Sequence, residues 1–240
     1  MLLPFYTFLI NQSLTLGKFP QSEKQGIITP VLKTNKNKNE LSSYRPITNL
    51  TFLSKLIENA AHLELTNYLR NAKLLPTFQS AYRKNCSTTT ALLKVHNDLI
   101  DAIAEGKTIV YLALDLSSAF DTIITSNLLK VLIKNGIEGD VLKWFTSYLT
   151  ERTVKVLINK KESKEMTLIE IPQGGVLSPT LFSLFTADIC EVLNKHGVKY
   201  HLYADDVQIY FYMENFNIEK IQEKLNNIMS DIVNYMIENP

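Results

Sequence analysis

Cysteine is scarce: only Cys86 and Cys190, far apart, with no CxxC pair and no neighbouring Cys or His. That offers neither a zinc site nor a disulfide framework and fits a reducing compartment. Long hydrophobic runs are missing too. The apolar opening MLLPFYTFLINQSLTL lacks a basic leader and is broken by Pro4 and by Asn11-Gln12. It reads as a buried helix rather than a signal peptide. No run approaches the roughly 20 apolar residues that a bilayer span needs, so a soluble, intracellular protein with no membrane partner is expected. A dominant charge is also absent: with a net charge of +1, no whole-molecule field advertises a polyanionic partner, and any nucleic-acid surface must be local. Repeats and low-complexity tracts are lacking, and the one linker-like stretch is KTNKNKNELSS at 33–43, read as a flexible surface loop.

Two local basic patches are present. Lys18, Lys24, Lys33, Lys36, Lys38 and Arg45 face only Glu23 and Glu40, and Lys143, Arg152, Lys155, Lys160, Lys161 and Lys164 face Glu151, Glu162 and Glu165. Helical periodicity runs from about 51 to 71, with Leu53, Leu56, Ile57, Ala60, Leu63 and Leu65 apolar. A second helix, about 88 to 104, starts at a Ser87-Thr88 cap and carries Leu92, Val95, Leu99 and Ile103 on one stripe. The stretch 108–120 reads as a strand, with Val110, Leu112, Leu114 and Leu116 on one face and Asp115 on the other, at its C-terminal end. Helices follow at about 127–135 and 139–149, then a hairpin with a charged tip at about 153–171. Residues 171–197 form a loop with Gly174-Gly175, leading into a helix capped by Ser178 before Pro179 and stopped by Gly197. Ile218, Ile221, Leu225, Ile228, Ile232 and Tyr235 recur at steps of three and four, so 216–238 is expected to be an amphipathic helix lying on a sheet.

Between two strand-like runs, VKYHLYA and VQIYFYM, stand Asp205 and Asp206, read as the turn of a hairpin. Adjacent carboxylates raise each other's proton affinity, and the glycine of a structural Asp-Gly turn is missing. Taken alone, the pair reads equally as a plain turn or as a site. Asp115 changes the balance, because neighbouring strands would bring three carboxylates to one sheet edge. Such a cluster is suited to cations, and all-oxygen ligation selects Mg²⁺ or Mn²⁺. Two such ions about 3.5–4 Å apart activate an attacking oxygen and stabilise the leaving one in phosphoryl transfer.

The motifs YRPITNL (44–50), FQSAYRKNCSTTTALL (78–93), LALDLSSAFDTI (112–123), IPQGGVLSPTLF (171–182) and YADDVQIY (203–210) occur in that order. In this series the chain resembles the reverse transcriptases, and among them the LINE-type (non-LTR), jockey-like retrotransposon enzymes. The resemblance implies an α+β fold, the right-hand polymerase fold, with fingers and palm and an antiparallel palm sheet packed on helices. Residues 1–107 would be fingers-rich. Residues 108–240 would be palm, with the 153–171 hairpin inserted from the fingers. Asp115, Asp205 and Asp206 match the metal-binding acids, with the Leu116 carbonyl as a further ligand of two Mg²⁺ ions, or Mn²⁺ in their place. Phe120 matches the aromatic gate against a ribose 2′-hydroxyl. Lys33 and Arg45 match cations that grip the triphosphate, Gln173 and Gly174 the loop beside the nucleotide, and Tyr203 a contact to the primer end. Arg83 and Lys84 match template-phosphate contacts or a plain surface pair, and Asp121 a structural hydrogen-bonding residue.

The implied partners are an RNA template, a DNA primer and a dNTP, in nucleus or cytoplasm. The implied activity is RNA-directed DNA polymerisation. The alternatives are a catalytically silent element remnant and an RNA-templated RNA polymerase. The sequence departs from the family in PQGG-V-L-S-P for PQGS-V-L-G-P, in lacking Asp-His after AFDT, and in stopping before the downstream lysine segment. The thumb is therefore expected to be absent from this chain.

Overall fold

The structure, a computed structural model, describes residues 2–116 and 123–238. The chain divides into two compact units, one of Met1–Ala72 with Ile123–Leu181 and one of Lys73–Thr122 with Phe182–Pro240.

In the first unit, α1 (Leu3–Thr15) precedes β1 (Gln25–Leu32), β2 (Tyr44–Asn49) and α2 (Phe52–Asn71). After residue 123 come α4 (Thr125–Lys134), α5 (Gly139–Leu149), β4 (Arg152–Ile158), β5 (Lys161–Glu162), β6 (Met166–Leu168) and, up to Leu181, the start of α6 (Ser178–Phe185). The sheet runs β2-β1-β4-β5, with β6 also on β4. β1 is antiparallel to β2 and parallel to β4, and β4 with β5 and β6 forms the expected charged hairpin. An aromatic core fixes α5: Trp144 and Tyr148 stack at 5.4 Å, Phe19 meets both edge-on, and Trp144 Nε1 donates to Ser13 Oγ at 3.0 Å.

Three expectations change here. α1 is a helix, but its apolar residues are spread around it, and Phe5 and Phe8 are 56% and 59% exposed while only Ser13 is buried. Lys24 and Arg152 leave the basic patches for the interior. Arg152 is 1% exposed and lies 5.0 Å from the Tyr148 ring, its Nη1 donating to Tyr148 O. Burial lowers the pKa of Lys24, against the opposing pull of Glu151 at 3.8 Å. On α2 the buried face is Ser54, Ile57, Glu58, Ala61, Leu65 and Leu69, so it includes two polar residues and omits the exposed Leu63. Thr51 caps this helix by accepting from the Ser54 N–H.

The second unit holds α3 (Thr88–Ala104), β3 (Thr108–Asp115), α7 (Ile189–Lys195), β7 (Lys199–Tyr203), β8 (Asp206–Met213) and α8 (Ile218–Glu238). The strands form one antiparallel sheet, β3-β8-β7. One face buries Leu202, Val207, Ile209 and Phe211 with Ile189 and Leu193 of α7 and Ile228 and Ile232 of α8; the alternate residues Val110, Leu112 and Leu114 of β3 pack against the same cluster. The helix expected over 178–197 is interrupted by a 3-10 turn at Thr186–Asp188, and Gly197 ends it with a φ of +60°.

α3 is rotated from its expected stripe. Of Leu92, Val95, Leu99 and Ile103 only Val95 is buried, together with Ala91 and Ala102. The reason is Asp98, which lies between Val95 and Ala102. Its carboxylate accepts from Lys94, from Lys199 at 3.3 Å and from the Tyr210 hydroxyl at 2.6 Å, and its carbonyl accepts from the Tyr212 hydroxyl. Satisfying those groups outweighs burying two more aliphatic side chains. Ser87 caps this helix through a reciprocal pair of bonds with Thr90. Among the described residues, no helix is long and apolar enough to cross a membrane.

Burial favours the neutral form of Asp98, but the bonds from Lys94, Tyr210 and Lys199 outweigh it and hold its pKa below the usual Asp range. A depressed folded-state pKa adds stability above the ordinary Asp pKa, and that stability is lost as pH falls through the folded value. Asp98→Asn is therefore expected to lower stability by about 1–3 kcal/mol at pH 7. Chemical denaturation at pH 7 and in acid checks this, with the gap between the two proteins closing in acid.

Candidate active site

The three acids predicted from sequence all lie in the second unit, at the end of its sheet. Asp115 is the last residue of β3, and Asp206, the first of β8, is its direct register partner. The Leu116 N–H donates to Asp205 O at 2.9 Å, carrying the ladder one residue further. That bond makes Asp115 and Asp206 a non-hydrogen-bonded pair, the class in which Cα atoms lie about 4.5 Å apart and side chains leave the same face. Leu114 and Val207 point the other way, into the core. Asp206 belongs to the strand rather than to the turn; only Ala204 and Asp205 lie between the paired Tyr203 and Asp206. The electrostatics agree: burial first, then the charges of Asp205 and Asp115, raise the Asp206 pKa above the ordinary Asp value.

The turn is itself constrained. Ala204 has a φ of +56°, a left-handed conformation that a residue with a Cβ rarely adopts. Gln79, almost fully buried, holds it there. Its Oε1 accepts from the N–H groups of Ala81 and Ala204, and its Nε2 donates to Ala204 O at 3.4 Å. The main chain of 78–80 runs beside β7, with Ser80 N–H donating to Leu202 O and Leu202 N–H to Phe78 O. Nothing local in the FQSAYR motif marks Gln79 for this role. A glutamine in a polar-looking loop gave no signal of burial. Tyr203 is half-buried opposite Asp206, and Tyr82 stands close enough for burial, Asp205 and Tyr203 to raise its pKa. Arg83 is half-buried and donates to Pro76 O at 2.6 Å, while Lys84 is exposed.

Lys33, Arg45, Gln173 and Gly174 belong to the first unit. Arg45 is exposed on β2 opposite Val31, and Lys33 follows β1 with its Nζ donating to Ser42 O, so both cations sit at one end of the β1–β2 hairpin. At the other end of β2, the Thr48 N–H donates to Gln173 O at 2.6 Å. Gly174 has a φ of +120°, and a Cβ there would meet Thr48 O at 2.5 Å, so the loop requires glycine. Ser178 does not act as the simple cap expected of it. Its hydroxyl donates to Pro172 O at 2.7 Å, while the N–H groups of Val176 and Leu177 bond to the carboxylate of Glu58. Phe120 and Asp121 lie outside the described residues.

The family profile described as "Reverse transcriptase (RNA-dependent DNA polymerase)" matches residues 33–238. The chain belongs to the reverse transcriptase family. It is 31% identical over 214 residues to the RNA-directed DNA polymerase from mobile element jockey of Drosophila melanogaster, covering 86% of this chain and 23% of that protein. The probable RNA-directed DNA polymerase from transposon X-element of the same fly is 28% identical over 186 residues, covering 77% and 20%. The chain thus spans about a quarter or less of the curated relatives it matches. A solved structure of apo telomerase from Candida tropicalis superposes with a TM-score of 0.61 at 13% identity, over 88% of this chain and 47% of that one. That likeness supports the expected fingers-and-palm polymerase fold.

Reverse transcriptases as a family work with divalent metal ions. Among the described residues, no group of three or more His, Cys, Asp and Glu side chains forms a ready-made cage. The donor set nevertheless fits a hard cation: carboxylate oxygens alone, two of them on one row of the sheet and the third in the adjoining turn. The raised pKa of Asp206 has a consequence for stability. Above that pKa its charge opposes folding, because the unfolded chain carries the same charge without the burial and without the neighbouring charges of Asp205 and Asp115. Asp206→Asn is therefore expected to raise the melting temperature of the metal-free protein at neutral pH. The gain should fade in acid, as the native carboxyl takes up its proton; calorimetry across pH reads both.

Proposed function

We propose that this reverse transcriptase chain is the core of an RNA-directed DNA polymerase, adding deoxynucleotides to a primer 3′-hydroxyl on an RNA template. The observation that carries the reading is the register pairing of Asp115 with Asp206, with Asp205 in the two-residue turn beside them. Asp115, Asp205, Asp206 and the Leu116 carbonyl would hold two Mg²⁺ ions. When bound, such ions lower the pKa of an attacking hydroxyl and neutralise charge on the reacting phosphate.

The chain's own contribution is placement. Arg45 can clamp phosphate oxygens through two donors and Lys33 adds a point charge, which suits them to the triphosphate. Gln173 and Gly174 lie on a backbone held by Thr48, as a surface for the base and sugar of the nucleotide would need to be. Tyr203, beside the acids, is assigned to the primer end. Phe120 is assigned as the gate whose ring collides with a ribose 2′-hydroxyl. Template binding would rest on phosphate and 2′-hydroxyl contacts, largely blind to base sequence and weakened by salt. Acting on such nucleic acids would put the protein in the nucleus or cytoplasm.

Primer extension on an RNA template with Mg²⁺ tests this. Asp115→Asn and Asp205→Asn are each expected to reduce incorporation by at least about 100-fold, more than losing an outer-shell partner of a metal usually does. Incorporation by either variant at the parent rate would contradict the assignment. Phe120→Ala is expected to raise ribonucleotide use relative to deoxynucleotide use by about tenfold or more. An unchanged ratio would remove the gate.

A further inference from the structure

Glu58 lies in the middle of α2 and is 0% exposed. A carboxylate so placed requires donors around it. Its Oε2 accepts from the N–H of Val176 at 2.7 Å and of Leu177 at 3.4 Å, and its Oε1 accepts from Ser54 Oγ at 3.0 Å. Those two amides lead directly into α6, where a helix leaves donors it cannot satisfy itself and presents the positive end of its dipole. Glu58 thus supplies, from another helix, the acceptor that Ser178 does not.

The contact is built rather than incidental. A Cβ on Gly175 would meet Ser178 Oγ at 2.6 Å and Glu58 Oε2 at 3.0 Å, so glycine is what lets the carboxylate close on the loop. Ser178 Oγ ties back to Pro172 O, and one helical turn beyond Glu58, His62 Nδ1 pairs with Thr180 Oγ at 3.2 Å. Ser54, Glu58 and His62 are therefore a polar stripe at steps of four, running along the start of α6. On its far side the same loop is fastened by Thr48, whose N–H donates to Gln173 O. Gln173 carries the first of these two anchorages, and Gly174 and Gly175 lie between it and the second.

We propose that Glu58 is a positioning residue for polymerisation: its carboxylate holds the Gln173–Gly174 loop in the conformation that receives the incoming nucleotide. This rests on the assignment of Gln173 and Gly174 to the nucleotide. Glu58 touches no reacting atom and acts through the loop backbone.

The test combines dNTP titrations in primer extension with amide hydrogen exchange over residues 172–178, on the parent chain and on Glu58→Gln, Glu58→Ala and Gln173→Ala. Glu58→Gln keeps the shape and one acceptor oxygen but removes the charge-assisted bonds. The amides of Val176 and Leu177 should then exchange about tenfold faster and KM for dNTP should rise about tenfold, with kcat within about twofold. Glu58→Ala should move KM and exchange further the same way; if it does not fold, the glutamine variant decides. Faster exchange with an unchanged KM would make Glu58 a structural prop and overturn the proposal. Unchanged exchange would show that the carboxylate does not hold the loop and would overturn it equally. An unchanged KM in Gln173→Ala would instead sink the nucleotide assignment of the loop, so the two failures are told apart.

Discussion

The site depends on a single cross-strand pair that ordinary sheet energetics would reject: two carboxylates directly opposite one another at the end of an antiparallel ladder. Burial first, then the charges of Asp205 and Asp115, raise the pKa of Asp206, so the repulsion is one part of that shift. It is tolerated because the residues beneath them, Leu114 and Val207, are locked into the core formed with α7 and α8. A register slip of one residue would relieve the repulsion but would turn every aliphatic side chain of β8 outward. The hydrophobic effect therefore holds the acids together, and a bound cation would turn that strain into affinity. Gln79 completes the scaffold by fixing the left-handed turn that carries Asp205.

The first unit shows the same logic with opposite chemistry. There a backbone loop, not a side chain, is the constrained object. Thr48 and Glu58 hold it from two sides, and glycines at 174 and 175 allow both to approach. Polar groups buried with full partnership fix one geometry more tightly than apolar packing does. Asp98 plays a comparable part in the second unit, deciding which face α3 turns to the sheet.

Much of this was legible in the residues. The alternation in 108–116 assigned Asp115 to the face away from the leucines, and the cap at Ser87 located the start of α3 to the residue. The motif series gave the family. What stayed hidden was polar burial. Periodicity is read from aliphatic residues, so it carries no sign of the buried Ser54 and Glu58, and Leu92 and Ile103 looked like core when Asp98 governs the rotation of α3. α1 misled for a related reason: its high apolar content, with no single stripe, described a helix without saying where it rests. Lys24 and Arg152 counted as surface charge because composition cannot see the Phe19 and Tyr148 rings that cover Arg152. Partnership between distant residues determines each of these, and no local pattern encodes it.

The central claim is that Asp115, Asp205 and Asp206 act as one cation site. Titration of Mn²⁺ into protein carrying ¹³C-labelled aspartate carboxyls reads it most directly, because the paramagnetic ion broadens only the groups near it. The three carboxyl resonances should broaden together, at the same low Mn²⁺ concentration and ahead of Asp98, Asp140 and Asp231. Broadening of Asp115 at a different concentration from Asp205 and Asp206, or of none of the three before the remaining aspartates, would contradict it.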